Sequence, residues 1–453
     1  MHDSTIPGVT MALSALRPLQ TIGRVVAVDG ALVWVTGISD EAAIGDRARL
    51  TNRDRSQQMG DVLRIRDGLV AVLPDEGTTG VALNDRVCVV GPVTLAPTDT
   101  WIGRVIDPYG QPLDDMPCVS GAVPRKLAAP PPSAAARRGL GPTIHTGLFA
   151  FDCLLPIAKG QRIGLFAGSG VGKSHLLARL AQGMEADVVV LSLVGERGRE
   201  LRDFVANVLG PEGMARTVVV AATSDRSAVE RRRCPMSAMT IAEHFRDQGK
   251  HVLYLADSLT RFAEAHREAA TAAGEIPALR GFPASTANHI MALCERAGPG
   301  VEGAGDITAV FSVLVAGSDM EEPIADIVRG VLDGHIVLNR AIAERGRYPA
   351  IDLSQSVSRC LPAALSDDEN ALILRARRLI GAYERSETLI RSGLYRSGSD
   401  HELDQAIAFW PDIDAAIGSD APGTQRDTFA KLQLLLKRAD RGIAPKPRIA
   451  EAS

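Results

Sequence analysis

A glycine-rich loop followed by lysine and serine has the clearest chemistry in this chain. An apolar, strand-like run enters the loop, and a helix-like segment follows it. Glycines let successive backbone N–H groups point at one anion, and a helix N-terminus adds partial positive charge. Lysine reaches the terminal phosphates of a nucleotide, and a serine hydroxyl binds Mg²⁺. The pattern predicts a phosphate-binding loop, although Ala167 stands where the formal G-x-x-x-x-G-K-S/T pattern has glycine. The loop residues are Ala167, Gly168, Ser169, Gly170, Val171, Gly172, Lys173 and Ser174.

Two carboxylates follow other apolar runs. Asp257 ends the run HVLYLAD, which suits an acid directed at Mg²⁺; the alternative is a cap for the following helix. Glu196 lies on a glycine-flanked turn after VVVLSLV, where a carboxylate can orient the attacking water. Arg197 beside it can touch phosphate or tune that carboxylate. A plain surface turn is the alternative for this pair.

Arg359 and Tyr348 lie in polar stretches near the end of the apolar region. From the local sequence alone, Arg359 in SQSVSRC is best interpreted as a surface ion pair. Tyr348 in RGRYPAID can stack on an adenine, but a tyrosine before proline usually serves packing.

Composition limits the classes of protein that fit. The chain has 453 residues, enough for about two or three domains. Its formal net charge of −4 gives no general signature for binding nucleic acid. The six cysteines are scattered without a C-x-x-C pair, which argues against a zinc site or a disulfide framework. No apolar run reaches the roughly 18 residues of a membrane span, and the N-terminus does not resemble a signal peptide.

The elements that must position these residues change in type along the chain. Residues 22–95 contain short β-rich runs, and Asp29-Gly30 between alternating runs is a hairpin signal, so a small antiparallel barrel is predicted. A proline-rich connector follows at 127–142, where Arg137 and Arg138 form a basic spot best interpreted as a solvated linker. Near-continuous apolar runs alternating with helical stretches then predict a parallel sheet. Beyond about residue 366 the chain is helical.

Several motifs in order resemble one known family. GQRIGLFAGSGVGKS, VGERGRE, LYLADSLTRFAEAHRE, FPAST, YPAIDLSQSVSRC and GSDHELDQAIAFWP are similar to the ATPase of flagellar and type III protein export. That family, also called flagellum-specific ATP synthase, is similar to the catalytic β subunit of the rotary ATP synthase. The resemblance extends from about Ile22 to Leu436. The family commonly has alanine where the formal loop begins, whereas Cys360 stands where an apolar residue is expected.

The resemblance implies an α/β fold with a RecA-like P-loop core, an N-terminal antiparallel β-barrel and a C-terminal helical domain. The domains expected are an arm at 1–21, the barrel at 22–95, the ATPase domain at 96–365 and helices at 366–453. The resemblance also implies ATP and Mg²⁺ as ligands. The loop and Tyr348 would bind ATP, Ser174 and Asp257 would hold Mg²⁺, and Glu196 with its partner Arg197 would activate water. Lys173 and the arginine finger Arg359 would complete the catalytic set.

The partners implied by the resemblance are proteins. They are a homohexameric ring with ATP between subunits, a stator-like regulator docking on the N-terminal arm, stalk and export-gate components, and cargo–chaperone complexes. The expected location is cytoplasmic, peripheral at the inner face of the bacterial membrane, without nucleic acid.

Four alternatives stay open at this point. An ATPase of virulence-type secretion would have a very similar sequence, although the residues of the YPAID and GSDHELD stretches favour flagellar export. A rotary-synthase catalytic subunit is disfavoured because no acidic D-E-L-S motif occurs in the C-terminal region. An RNA translocase would need aromatic and basic residues in the barrel, which has Trp34 as its one aromatic. A non-catalytic ring subunit would lack Glu196.

Overall fold

The computed structural model describes residues 20–315 and 320–441. The arm predicted for residues 1–21 lies almost wholly outside the described residues, as does the chain after Arg441. The strands are β1 Gly23–Asp29, β2 Leu32–Thr36, β3 Arg47–Thr51, β4 Gln57–Arg66, β5 Leu69–Pro74, β6 Arg86–Gly91, β7 Thr94–Leu95, β8 Val105–Ile106, β9 Arg125–Lys126, β10 Arg162–Ala167, β11 Val188–Val194, β12 Thr217–Ala222, β13 Val252–Asp257, β14 Ile307–Leu314, β15 Gly334–Leu338 and β16 Ile351–Ser358.

The α-helices are α1 Lys173–Gly183, α2 Gly198–Asp203, α3 Gly210–Met214, α4 Ala228–Asp247, α5 Leu259–Ala272, α6 Ser285–Arg296, α7 Pro323–Val331, α8 Arg340–Glu344, α9 Asp367–Arg391, α10 His401–Ile417 and α11 Gln425–Arg441. Short 3-10 or π-helical turns cover Asp99–Trp101, Ala150–Leu154, Phe204–Leu209 and Leu279–Gly281. Within the described ranges, no helix combines the length and the apolar composition needed to cross a bilayer.

The chain forms two compact units. The described residues of the first unit are 20–138, 186–314 and 320–331, and those of the second are 139–185, 315 and 332–441. The domain boundaries expected at residues 95 and 365 stay a prediction.

The first unit begins with the expected barrel. Its strands close in the order β1-β2-β5-β4-β3-β6, and every neighbouring pair is antiparallel. Asp29 pairs with Leu32 across the predicted hairpin, where Gly30 has a φ of +57° that glycine adopts without strain. Alternate side chains point inward, so Val33, Val35 and other aliphatic residues fill the barrel.

A parallel sheet forms the rest of the first unit's core. Its strands lie in the order β14-β13-β11-β12-β8. Every residue of β11 and β13 is buried, because aliphatic side chains on both faces need cover from both sides. The carboxyl ends of β11 and β13 lie at one edge, since Leu193 is in register with Asp257.

The second unit contains β10, β15 and β16 together with α1 and the C-terminal helices. β10 and β15 are parallel and β16 runs antiparallel to β15. The helix α9 begins with a capping box between Ser366 and Glu369, and Tyr383 of α9 stacks on Trp410 of α10 with ring centroids 4.4 Å apart. The predicted fold class of barrel, parallel strands and C-terminal helices is confirmed.

The proline-rich connector is largely exposed, as expected of a solvated linker, but its two arginines make specific contacts. Arg137 donates hydrogen bonds to the main-chain carbonyls of Glu295 and Ala297, and Arg138 forms an ion pair with Asp306 at 2.7 Å. The two arginines therefore fasten this connector to the parallel-sheet part of the first unit. The connector is therefore exposed to solvent as predicted, but it is also anchored, because the five donors of a guanidinium can satisfy several carbonyls at once.

Candidate nucleotide and catalytic site

The glycine-rich loop joins β10 to α1 in the second unit. Gly170 and Gly172 have φ values of +76° and +89°, in the left-handed region where any other side chain is strained. Lys173 and Ser174 form the first turn of α1, and in the described structure no side chain caps that helix and no acidic residue lies in its first turn. The helix thus begins with a lysine at its N-terminal end, where the backbone N–H groups and the helix dipole attract anions.

The connection between β15 and β16 supplies two neighbours of this loop. Arg340 Nη2 donates a hydrogen bond to the Ser169 carbonyl at 3.0 Å. The Tyr348 ring lies beside Gly172, so close that a Cβ built on that glycine would come within 3.1 Å of Tyr348 Cδ1. Tyr348 is half exposed, which leaves ring surface for a ligand. The family resemblance implied that Tyr348 packs on the base, whereas Arg340 was given no role by the sequence.

A cavity of about 410 Å³ opens beside Tyr348. Pro411 and Ala415 of α10 give it apolar surface, and Arg347 and Asp414 give it charge. Arg347 Nε lies 3.0 Å from Asp414 Oδ1, and burial lowers the pKa of the Arg347 guanidinium. The lining is otherwise mainly polar, so the half-exposed Tyr348 ring is the flat surface that this cavity offers to an organic ring.

Asp257 ends β13 in the first unit. Its side chain is buried and accepts a hydrogen bond from Ser312 Oγ of β14 at 2.8 Å. The following helix, α5, is capped by Ser258, whose hydroxyl accepts from the Arg261 N–H. The cap function that the sequence left open for Asp257 therefore belongs to its neighbour. Asp257 is a buried carboxylate held at the carboxyl edge of the parallel sheet.

Glu196 follows β11 at the same edge. Gly195, with a φ of +71°, turns the chain, and its N–H donates to the Ala222 carbonyl at 2.7 Å. The Glu196 carbonyl accepts from the Ser224 N–H at 3.0 Å, so the backbone of this turn is fixed on both sides. The Arg197 side chain is 80% exposed, with Nη1 3.6 Å from Glu200 Oε1. The backbones of Glu196 and Asp257 thus end neighbouring strands of one sheet.

Arg359 lies far from the phosphate loop of its own subunit. It follows β16, and its N–H and Nη1 donate to the carbonyls of Asp333 and Leu332 at 3.0 and 3.2 Å. These carbonyls precede β15, whereas Leu338 at the end of that strand pairs with Ala167, where the loop begins. The four steps between the five residues of β15, at about 3.3 Å each, separate the two ends of this strand by about 13 Å. Within the second unit, Tyr348 therefore lies against the phosphate loop, whereas Arg359 lies at the opposite end of β15.

Two family models match the chain. The nucleotide-binding domain of the ATP synthase alpha/beta family matches residues 147–358, which include the loop, both carboxylates, Tyr348 and the strand before Arg359. The T3SS EscN ATPase C-terminal domain matches residues 365–433. The chain thus contains a nucleotide-binding domain of the ATP synthase alpha/beta class.

Similar proteins narrow that class. The "Flagellum-specific ATP synthase" of Caulobacter vibrioides is 43% identical over 435 residues, which is 94% of this chain and 98% of that protein. The "Type 3 secretion system ATPase" of Xanthomonas euvesicatoria is 40% identical over 397 residues, 87% of this chain and 91% of that protein.

Solved structures of type III secretion ATPases share the fold of this chain. The assembled ATPase EscN of the enteropathogenic E. coli type III secretion system has a TM-score of 0.84 at 36% identity, covering 91% of this chain and 100% of that one. EscN in complex with its central stalk EscO matches over the same shares, with a TM-score of 0.83. The chain belongs to the family of flagellum-specific ATP synthases and type 3 secretion system ATPases. The predicted family, the ATPase activity and the role in type III protein export are confirmed.

Proposed function

We propose that this chain energises flagellar protein export by hydrolysing ATP, which releases or unfolds chaperone-bound cargo. The observation that carries the proposal is the geometry of the second unit, with a phosphate loop at one end of its strands and Arg359 at the other. A subunit built this way offers a nucleotide site and, well apart from it, a cation for another subunit's site. The sequence stretches YPAID and GSDHELD and the Caulobacter relative support flagellar export. Virulence-type secretion is the alternative, supported by the Xanthomonas relative and EscN.

The catalytic roles follow from the chemistry of each residue. Residues 167–172 bind the phosphates through N–H groups, and Lys173 places its charge on the terminal phosphates. The adenine packs on Tyr348 in the neighbouring cavity. Glu196 aligns water for in-line attack on the terminal phosphorus, with Arg197 as its partner. The water oxygen bonds to the terminal phosphorus and gives its proton to Glu196, while the bond from that phosphorus to the bridging oxygen breaks. ADP leaves with the electron pair of that bond, and inorganic phosphate is the second product.

A hydroxyl and a carboxylate are the candidate oxygen ligands for Mg²⁺. The Ser174 hydroxyl is exposed at the first turn of α1, and Ser312 orients the Asp257 carboxylate through Oδ1. Mg²⁺ prefers such hard oxygen ligands, so Ser174 and Asp257 are the residues that would hold it. When bound, the ion neutralises charge on the phosphates. The contribution that the described contacts support is the orientation of the Asp257 carboxylate by Ser312.

The active form we propose is a homohexameric ring. Arg359 of one subunit reaches the terminal phosphate of ATP held by the next subunit. An arginine finger of this kind contributes a factor of about 10³–10⁵ in rate. The antiparallel register of β15 and β16 supports this, because it keeps Arg359 away from its own loop.

The proposed partners are a central stalk, a stator-like regulator docking on the N-terminal arm, export-gate components and cargo–chaperone complexes. The structure of EscN with its stalk EscO supports the first of these. The proposed location is the cytoplasm, peripheral at the inner face of the membrane. The functional division into arm, barrel, ATPase domain and helical domain is part of the same proposal.

The test is Mg²⁺-dependent ATP hydrolysis across a protein dilution series. Specific activity should rise with concentration as rings assemble, because each site needs two subunits. Glu196→Gln should still bind ATP while losing nearly all turnover, since the amide cannot accept the proton of the attacking water. Constant specific activity down to dilute monomer would refute the shared site. A wild type that binds ATP at every concentration without turnover would refute hydrolysis.

A further inference from the structure

Arg340, to which the sequence patterns assign no role, donates a hydrogen bond to the backbone of the phosphate loop. We propose that Arg340 is a positioning residue for ATP binding, which orients the Ser169–Gly170 peptide so that its N–H faces the phosphates. This inference rests on the proposed function of the loop. Its basis is the 3.0 Å hydrogen bond from Arg340 Nη2 to the Ser169 carbonyl.

The planarity of the peptide bond makes this contact directional. In a trans peptide the carbonyl of Ser169 and the N–H of Gly170 point in opposite directions. Holding the carbonyl toward Arg340 therefore turns the Gly170 N–H to the other side of the loop. Without that hold, glycine at a φ of +76° has the conformational freedom to let the peptide flip. A flipped peptide would present a carbonyl oxygen to an anion, which repels it.

The backbone that bears Arg340 is fixed relative to the loop. Leu338, two residues earlier, pairs in parallel with Ala167, so the chain leaves both strands at the same edge. The Asn339 side chain caps α8 by accepting from Ala341 N and donates to Asp352 Oδ2, each at 2.9 Å. The backbone at Arg340 is therefore anchored within reach of the loop carbonyl, and the hydrogen bond to Ser169 places the guanidinium there.

The charge of the arginine strengthens the contact. Hydrogen bonds from charged donors contribute about twice as much as neutral ones. A guanidinium on the carbonyl also polarises the peptide, which makes its N–H a better donor to phosphate. Lysine in the same place would keep the charge but lose the planar fork, so it should restore the contact only in part.

The experiment compares two ligands in folded variants. Arg340→Ala, Arg340→Lys and wild type are titrated with ADP and with adenosine, which has the base and sugar but no phosphate. Arg377→Ala is the matched control, because Arg377 Nη2 also donates to a main-chain carbonyl, that of Ser356 at 3.1 Å. Thermal unfolding without nucleotide checks that each variant is folded.

Arg340→Ala should weaken ADP binding by about tenfold or more, the usual loss for a charged hydrogen bond. Its adenosine affinity should stay at the wild-type value, Arg340→Lys should lie between, and Arg377→Ala should bind ADP normally. Equal losses for ADP and adenosine would mean general damage and would overturn the inference. Unchanged ADP affinity in Arg340→Ala would overturn it while leaving the proposed function intact. A wild type that fails to bind ADP would overturn both.

Discussion

At the scale of single residues, His266 is a buried group whose charge state the fold determines. Its Nε2 lies 2.7 Å from Ser285 Oγ, and that hydroxyl donates to Glu275 Oε2 at 2.6 Å. Its Nδ1 is buried without a hydrogen-bond partner in the described part of the chain, and the His289 ring is 4.3 Å away. Burial, then His289 and Arg232, lower the pKa of His266 to about 4, against a weaker opposing effect of Glu275. The folded protein therefore prefers neutral His266.

This pKa predicts a loss of stability in mild acid. The folded pKa of about 4 lies below the ordinary 6.5, so the unfolded chain binds more protons between these values. The stabilising contribution is complete above pH 6.5 and falls as the pH drops toward 4. Lowering the pH from 7.5 to 5 should cost about 2 kcal/mol from this residue. Urea unfolding at the two pH values measures it. His266→Gln, which retains a donor for Ser285, should lose less stability over the same interval; an equal loss would contradict the assignment.

At the scale of elements, a buried charge network joins the barrel to α4 inside the first unit. Asp61 of β4 is 1% exposed and accepts from Arg47 of β3 at 2.8 Å and from Arg233 of α4 at 2.7 Å. Arg233 Nη1 also donates to the Tyr109 hydroxyl at 3.1 Å, and both guanidinium groups lie over the Tyr109 ring. Apolar contacts of the barrel with Ala272 and Ala273 at the end of α5 accompany this network.

Asp61→Ala should therefore destabilise the protein strongly. The substitution leaves Arg233 buried without its carboxylate and leaves Arg47 with Asp75 alone. Removing one partner of a buried ion pair costs about 3–5 kcal/mol. Denaturant unfolding with intrinsic tryptophan fluorescence measures the change. Asp326→Ala is the matched control, because its ion pair with Arg329 on α7 is exposed and should matter by less than about 1 kcal/mol. Similar losses for both variants would show that the buried network contributes no more than a surface pair.

The sequence predicted elements better than the contacts between them. The Asp29-Gly30 hairpin, the buried strands and the phosphate loop all arise from local patterns, in which period and turn residues are physically determined. Arg340 and Ser169 are 171 positions apart, and Arg233 and Asp61 are 172 apart. Such contacts depend on strand order and register, which no local spacing reports. Arg137 illustrates the same limit, since its carbonyl partners come from about 160 residues further along.

At the scale of the whole molecule, the proposed role of Arg359 would make assembly part of catalysis. The residue is tied to the carbonyls of Leu332 and Asp333, so its position depends on the start of β15. The phosphate loop depends on the end of β10, and β10 and β15 are parallel. A chain of this design cannot bring its own Arg359 to its own loop without breaking strand pairs. If Arg359 acts in hydrolysis as proposed, it must therefore do so at the site of a second copy.

Mixed rings of two inactive variants should recover activity. Lys173→Ala lacks a functional loop and Arg359→Ala lacks the finger, so each ring alone should be nearly inactive. In an equal mixture, an interface works when Arg359→Ala supplies the loop and Lys173→Ala supplies the finger. In a random ring, each of the two subunits at an interface is the required variant half of the time, so about a quarter of the interfaces are intact. ATPase activity should therefore recover to about a quarter of the wild-type value if the sites act independently.

The mixture is made by combining the dilute variants before concentrating them, and steady-state phosphate release is then measured. The control mixture pairs Lys173→Ala with a chain carrying both substitutions. It contains no intact loop and should stay inactive, because complementation needs one complete half-site from each partner. If the first mixture is as inactive as the control although its subunits have exchanged, Arg359 does not serve a neighbour's ATP. Recovery in the first mixture alone would mean that the loop and the finger act across the subunit interface, as the antiparallel register of β15 and β16 requires.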